Sequence, residues 1–427
     1  MNIRNWKKFT LSMIMVAILF LAACSGGKED KADSSNSTDG GESTGSATLE
    51  VGVEDDYIGF IEEIAPAFEE EHGVTIKVSE KDMFDTLEAL PLDGPAGLAP
   101  DVMIAPYDRV GNLGQQGHLA EYTFPEDGRY DETDEKQVTF EEKIYGAPFV
   151  IEALVLYYNK DLLDAAPETF EELEALIDDE RFAFASESGK STVFLANWLD
   201  FYSTYGLLAG HGGYVFGQDG TDPTDVGLND PGAIEGIAYA TKWFQDVWPQ
   251  GMMDATSAGD FIDAQFTGGN TAAIIGGPWQ AATYNEAGLN YGVSAIPTLP
   301  NGEAYQPFAG GKAWIISNYA EDKELAEEWL TYVTNEENQK ILYDMRAEIP
   351  ANNFTKEEVS QGDNELTSAV IEQYNTSVPM PNIPEMAEVW KGAETLMFDA
   401  ASGNKTPEES ANDAVKVIQE NIEQKYQ

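Results

Sequence analysis

From residue 49 onward the chain alternates short apolar runs with longer amphipathic stretches. LEVGV (49–53) is compact and β-branched enough to predict a strand. Ile58, Ile61, Ala65 and Phe68 follow at spacings of 3, 4 and 3, which predicts a helix with one apolar face, ending at His72-Gly73. VTIKV (74–78) alternates apolar and polar positions, the period of a strand. PDVMIAP (100–106) predicts another strand, stopped by Pro106. This β-α-β order predicts an α/β fold, with helices on both faces of a sheet. TAAIIGG (271–277), YGVSAI (291–296) and KAWIIS (312–317) add strands bounded by Gly, Pro or Asn, and acidic amphipathic helices fill 322–345 and 406–425. DGTDPTDVG (219–227) carries Asp at every third position. It lacks the alternating ligands and terminal Glu of a calcium loop, and reads as a turn.

A body of this length exceeds one ordinary core and predicts two lobes. Two stretches read as crossings between them: GAPFVIEALVLYYNKDLL (146–163), where an apolar strand leaves a Pro-marked turn, and the Pro- and Gly-rich IPTLPNGEAYQPFAGG (296–311). The expected lobes are therefore discontinuous, 49–150 plus 306–352 and 151–305 plus 353–427. Hinge strands between two lobes leave a cleft, a preferred place for small ligands.

The N-terminus reads differently. Arg4, Lys7 and Lys8 precede LSMIMVAILFLAA (11–23), too short for a comfortable membrane span and ending in small residues, which marks 1–23 as a secretory signal. LAAC resembles a bacterial lipobox, so Cys24 is the expected site of lipidation. It is the only cysteine, which excludes disulfides from the mature chain. Residues 24–48, rich in Gly, Ser, Asp and Glu without an aromatic, form the expected flexible linker, with a mean reach of roughly 25 Å. These features place the body on the outer face of the cell membrane.

Charge narrows the ligand. The chain has 76 acidic against 24 basic residues, a formal charge of −52. Phosphates would be repelled, so no nucleic-acid partner is expected, and anionic solutes are disfavoured for the same reason. His72, His118 and His211 are far apart, without metal-ligand spacing, and no H-E-x-x-H, G-x-S-x-G, Walker or dinucleotide motif is present. No cofactor or metal is expected. Acids alone leave a glycosidase open, since that chemistry needs only two carboxylates.

Four separated stretches then act together: YDRVGNLGQQGHLAE (107–121), IEALVLYYNKDLL (151–163), GGPW (276–279) with NYGVSAIPTLP (290–300), and MPNIPEMAEVW (380–390). In this order and spacing they resemble the maltose/maltodextrin-binding proteins, the solute receptors of ABC importers, over about 48–427. The resemblance implies a two-lobed, periplasmic-binding-protein-like fold hinged around a sugar cleft. It implies a monomeric binding protein rather than an enzyme, with a malto-oligosaccharide ligand. Its partners would be permease subunits driven by a cytoplasmic ATPase.

On this resemblance the family's Asp-Arg pair falls on Asp108 and Arg109. Its hinge-side Glu falls on Glu152, and its two stacking tryptophans on Trp279 and Trp390. Met380 matches a residue lining the cleft. In NWLDFYSTYGLLAGHGGY (197–214), counting back from GGY places Tyr202 on a stacking Tyr and Asp200 on a sugar-binding acid; a shifted register brings in Tyr205. The chemistry agrees, because sugar hydroxyls want charged acceptors and donors and the C–H faces of the ring want flat aromatic walls. Each position also has a structural reading: Asp108 as a helix cap, Glu152 as an ion pair, the tryptophans as core.

Departures stand beside the matches. Ala105 occupies the place of a family tryptophan, and the acidic run Glu54-Asp55-Asp56 replaces an Asp-Lys pair, with Glu54 and Asp55 the expected counterparts. Both changes predict a wider first-lobe side with one donor fewer. Another neutral oligosaccharide, such as a cyclodextrin or a different gluco-oligosaccharide, remains an alternative ligand.

Overall fold

The computed structural model describes residues 47–130 and 132–426. The expected signal, Cys24 and nearly all of the linker lie outside them. Among the described residues no helix is long and apolar enough to cross a membrane, and no His, Cys, Asp and Glu cluster could hold a metal.

The elements that position the site are, in chain order, β1 (Thr48–Val53), α1 (Asp55–His72), β2 (Thr75–Glu80), α2 (Met83–Asp93), β3 (Val102–Pro106), α3 (Tyr107–Gln115), β4 (Ala147–Glu152), β5 (Val155–Asn159), β6 (Phe194–Leu195), α4 (Phe201–Gly210), β7 (Ala273–Gly276), β8 (Tyr291–Ser294), β9 (Phe308–Ile316), α5 (Lys323–Val333), α6 (Glu336–Arg346), β10 (Ile349–Pro350), β11 (Val378–Pro379), α7 (Met386–Ala393) and α8 (Pro407–Tyr426). The fold is mixed α/β.

One sheet has the order β10-β4-β9-β3-β1-β2, with β11 also pairing β9. Its β1, β2 and β3 are parallel, while β9 runs antiparallel to β3 and β4. Both faces are covered, which explains why β3 reads as a continuous apolar run. Its alternation sends Val102 and Ile104 to the core under α1 and α5, and Met103 and Ala105 to the core under α2 and α3. The second sheet, β8-β5-β7-β6, has its own core, to which α4, α7 and α8 contribute.

Only Ala153 and Leu154 separate β4 in the first sheet from β5 in the second. The chain returns from β8 to β9 through 295–307. The crossing strands belong to two cores: Phe149 and Val150 pack in the first and Ile151 in the second, while Phe308 packs in the second and Trp314 and Ile316 in the first.

Local chemistry sets the boundaries. α1 ends at Gly73, whose left-handed φ of 67° lets its N–H reach the Glu69 carbonyl. The stretch predicted as helical over 322–345 is two helices, because Asn335 stops one and caps the next by accepting from the Asn338 N–H. The predicted turn at 219–227 contains a short strand, Asp222–Val226.

Candidate functional site

The site forms where strand ends of both sheets meet. Pro106 ends β3 with an extended φ/ψ and has no N–H for a further ladder bond, so α3 starts at once and carries Asp108 and Arg109 in its first turn. Glu152 is the last residue of β4, and Gly310 to Lys312 lie beside it on β9. Together with residues from α2, α4, α6, α7 and the turn after β7, they line a cavity of about 520 Å3.

The turn after β7 is held from several directions. The Gly277 N–H donates to Gln280 Oε1 (2.9 Å), Gln280 Nε2 donates to Asp263, and the Tyr157 hydroxyl donates to the Gly277 carbonyl (2.9 Å). A Cβ on Gly277 would lie 2.2 Å from the Trp279 indole, so glycine there lets the ring fold back over the backbone. Trp279 stays 46% exposed at the cavity wall.

The MPNIP segment is fixed by side chains as well as by its prolines. Asn382 accepts from the Gly111 N–H of α3 (2.9 Å) and donates to the Thr139 carbonyl (3.3 Å). The Tyr426 hydroxyl at the end of α8 donates to the Pro384 carbonyl, and Lys425 pairs with the buried Glu388 of α7 (2.6 Å). Trp390, one turn into α7, packs edge-on against Phe201 and Phe308 at 5.7 and 5.9 Å. Its Nε1–H donates to Asp108 Oδ2 (3.0 Å). The indole therefore packs on the second core while lining the cavity.

Burial raises two carboxylates of the cavity wall, Asp108 and Asp200. Burial pushes the Asp108 carboxyl above the usual range, against the pull of the Arg109 guanidinium and the Trp390 N–H. Asp200 caps α4, accepting from the Ser203 N–H at 3.3 Å. Water reaches it through the cavity, yet burial among its neighbours still raises its carboxyl, opposed by the Ser203 donors. Tyr202 lies along the wall with its ring 6.4 Å from that of Trp279. Tyr205, the alternative from a shifted register, is 1% exposed and stacked on Phe308 at 3.8 Å, away from the cavity.

A buried charge network forms the floor. Lys312 Nζ is 2.5 Å from Glu152 and 3.8 Å from Glu348. The Tyr57 hydroxyl donates to Glu348 (2.6 Å), which also pairs with Arg346 (2.5 Å); Arg346 donates in turn to the Asp56 carbonyl (2.6 Å). Burial pulls the Lys312 ammonium down, but Glu152, Tyr57 and Glu348 outweigh it and hold it well above its ordinary value. Burial likewise pushes Glu348 up, but Lys312 and Arg346 prevail and leave it lowered.

Nine of the ten expected binding residues thus line one cavity: Glu54, Asp108, Arg109, Glu152, Asp200, Tyr202, Trp279, Met380 and Trp390. Asp55 does not; it is exposed on the first turn of α1, and Asp56 lines the cavity instead. The expected loss of a donor is offset, because Lys312 and Arg346 bring two cations to the first-sheet side. Ala105 is fully buried in register with Ala313, so it forms no part of the wall. Sequence reading missed Tyr57, Phe84, Lys312, Arg346 and Glu348. Signals were present: one Lys in the apolar run AGGKAWII, and a charged pair in MRAEIP.

The cavity holds six carboxylates and three cations. That set offers acceptors and donors together, and its excess of acid disfavours anions.

Residues 63–366 match the family model described as bacterial extracellular solute-binding protein. The maltodextrin-binding protein MdxE of Bacillus subtilis (strain 168) is 56% identical over 420 residues, covering 98% of each chain. A maltooligosaccharide ABC transporter solute-binding lipoprotein of Streptococcus pneumoniae (strain ATCC BAA-255 / R6) is 47% identical, covering 97% of each. Among solved structures, the maltose-binding periplasmic protein MalE of Listeria monocytogenes in complex with maltose matches with a TM-score of 0.82 and 62% identity, over 89% of this chain and 99% of that one.

Proposed function

The chain belongs to the bacterial extracellular solute-binding proteins, and from that premise we propose that its cavity captures maltodextrins for delivery to an ABC importer. It is a binding protein, not an enzyme. One observation carries the ligand class: a mixed, net-acidic set of charged groups shares a single cavity with Tyr202, Trp279 and Trp390. Neutral sugar hydroxyls donate to Asp108, Glu152 and Asp200 and accept from Arg109, Lys312 and Arg346. Charged partners make these bonds roughly twice as strong as neutral ones. The three aromatic rings take the C–H faces of the glucosyl units.

The lobes are assigned as 49–150 plus 306–352 and 151–305 plus 353–427. The short link at Ala153–Leu154 and the β8-to-β9 return serve as hinge strands. Sugar held by groups from both sheets stabilises the closed form through its extra contacts there. A micromolar Kd requires about −8 kcal/mol. Because the Trp279 turn and the MPNIP segment are already hydrogen-bonded in place, little of the interaction is lost to ordering them.

Cys24 is assigned as the lipid anchor, holding a monomeric receptor at the outer membrane face beside its permease and ATPase. The relatives' lipoprotein character supports this reading. A Cys24→Ala protein should then leave the cell surface for the medium.

The test of the ligand is a thermal-shift and calorimetry panel of maltose, maltotriose, β-cyclodextrin and cellobiose. Ligand at a hundred times Kd adds about 2.7 kcal/mol to stability, a rise of a few degrees. A shift with maltotriose and none with cellobiose is expected. A shift confined to cellobiose overturns the assignment, and conversion of maltotetraose into shorter products overturns the binding-only role.

A further inference from the structure

Among the described residues, two of the large apolar side chains left exposed on the surface line the cavity: Trp279 and Phe84, which is 49% exposed. Phe84 was not among the expected binding residues. It sits on the first turn of α2, directly after the cap at Asp82, which accepts from the Asp85 N–H at 2.8 Å. The apolar face of this helix is set by Leu87 and Leu90, both buried in the first sheet's core. Phe84 stays off that face and lines the cavity beside Met83 and Pro106. The Arg109 guanidinium lies 6.0 Å from its ring centroid, at the outer limit of a cation–π contact.

Exposure is graded along the cavity. Glu152, Glu348 and Met380 are buried, Tyr202 and Trp390 are half-buried, and Phe84 and Trp279 are the exposed aromatics. The graded burial distinguishes a deep end at Glu152, Glu348 and Met380 from an open rim, where two rings on elements of different sheets share the exposed wall with Asp56 and Asp200. The exposed half of the phenylalanine contributes nothing to the fold, so that apolar area remains available to a ligand.

Resting on the maltodextrin reading, we infer that Phe84 is a specificity-determining residue. It forms an aromatic wall at the cavity rim that packs against the glucosyl unit lying beyond those held at the deep end. It supplies, from α2, the first-sheet aromatic surface that Ala105 does not. The consequence is selectivity for longer chains, because a short sugar seated at the charged floor does not reach the rim.

Calorimetric titration with maltose, maltotriose and maltotetraose tests this on the wild type, Phe84→Ala and Phe84→Trp. Burying the exposed half of such a ring corresponds to about a three- to tenfold change in Kd. Phe84→Ala should weaken maltotetraose by about three- to tenfold and change maltose by less than about twofold. Phe84→Trp should restore the chain-length preference. Equal loss across the series, or none, overturns the rim assignment while leaving the maltodextrin reading intact. A wild type that binds none of the three overturns both. Thermal melting of the variants, expected to stay close to the wild type because half of the side chain is exposed, separates a binding effect from unfolding.

Discussion

At the scale of single residues, the cavity is built from side chains with two roles each. Trp390 packs against Phe201 and Phe308 and donates to Asp108 while presenting its ring to the cavity. Trp390→Ala should weaken maltotriose by more than about tenfold, since a buried aromatic contributes roughly 1.5–3 kcal/mol. Trp390→Phe keeps a ring but loses the donor, and should fall between. Unchanged calorimetric affinity in the alanine variant would remove the ring from the site. Lys312 is a second case. Replacing it with Met strands Glu152, while Glu348 keeps Arg346 and the Tyr57 hydroxyl, and should cost about 3 kcal/mol at pH 7. The pH dependence follows from the signs of the shifts. Glu348 lies below its ordinary 4.5, so the stability it contributes is present above that value and lost as pH falls through its folded pKa. Lys312 lies above its ordinary 10.5, so its contribution persists below that value and is lost only at higher pH. The Lys312→Met penalty, read from urea midpoints, should therefore shrink below pH 4.5. A penalty constant with pH would assign it to packing instead of charge.

At the scale of elements, what the sequence revealed and what it concealed have separate physical origins. Strands β3 and β7 were legible because their apolar runs are bounded by Pro and Gly, and α1 because its stripe keeps helical spacing. Its buried positions run Tyr57, Phe60, Ile61, Ile64, Ala65 and Phe68, so the expected Ile58 lies at the edge of the stripe. The break at Thr334–Asn335 was missed although it was marked twice, by the polar run 334–340 that interrupts the apolar stripe and by the Asn335 cap. Motif resemblance found Asp108, Glu152, Trp279 and Trp390. Phe84, Lys312 and Arg346 belong to none of the four motif stretches; their place depends on which strand lies beside β4 and where α2 and α6 end, facts of tertiary pairing. The turn after β7 is where an element-level test belongs. Gly277→Ala would drive a Cβ to 2.2 Å from the indole, displacing the Trp279 wall. Affinity should fall several-fold with a melting loss of no more than about 1–3 kcal/mol. Wild-type affinity would show that the ring's position does not matter.

At the scale of the whole molecule, charge and topology dominate. A formal charge of −52 on one chain implies mutual repulsion across the surface. The screening length falls to about 8 Å at physiological ionic strength and about 3 Å at 1 M. The melting temperature should accordingly rise between 20 mM and 1 M sodium chloride; indifference to salt would mean that the acids are spaced widely enough not to interact. Two residues, Ala153 and Leu154, span the gap between the two sheets on this segment. From Glu152 to Val155 the backbone takes three steps of at most ~3.6 Å, a leash of roughly 11 Å. If the halves move as the proposed lobe assignment has it, so short a leash lets them swing like a door, yet never drift apart like a dissociating dimer. On that assignment sugar release is a rotation, with the two halves changing their angle far more than the distance between them.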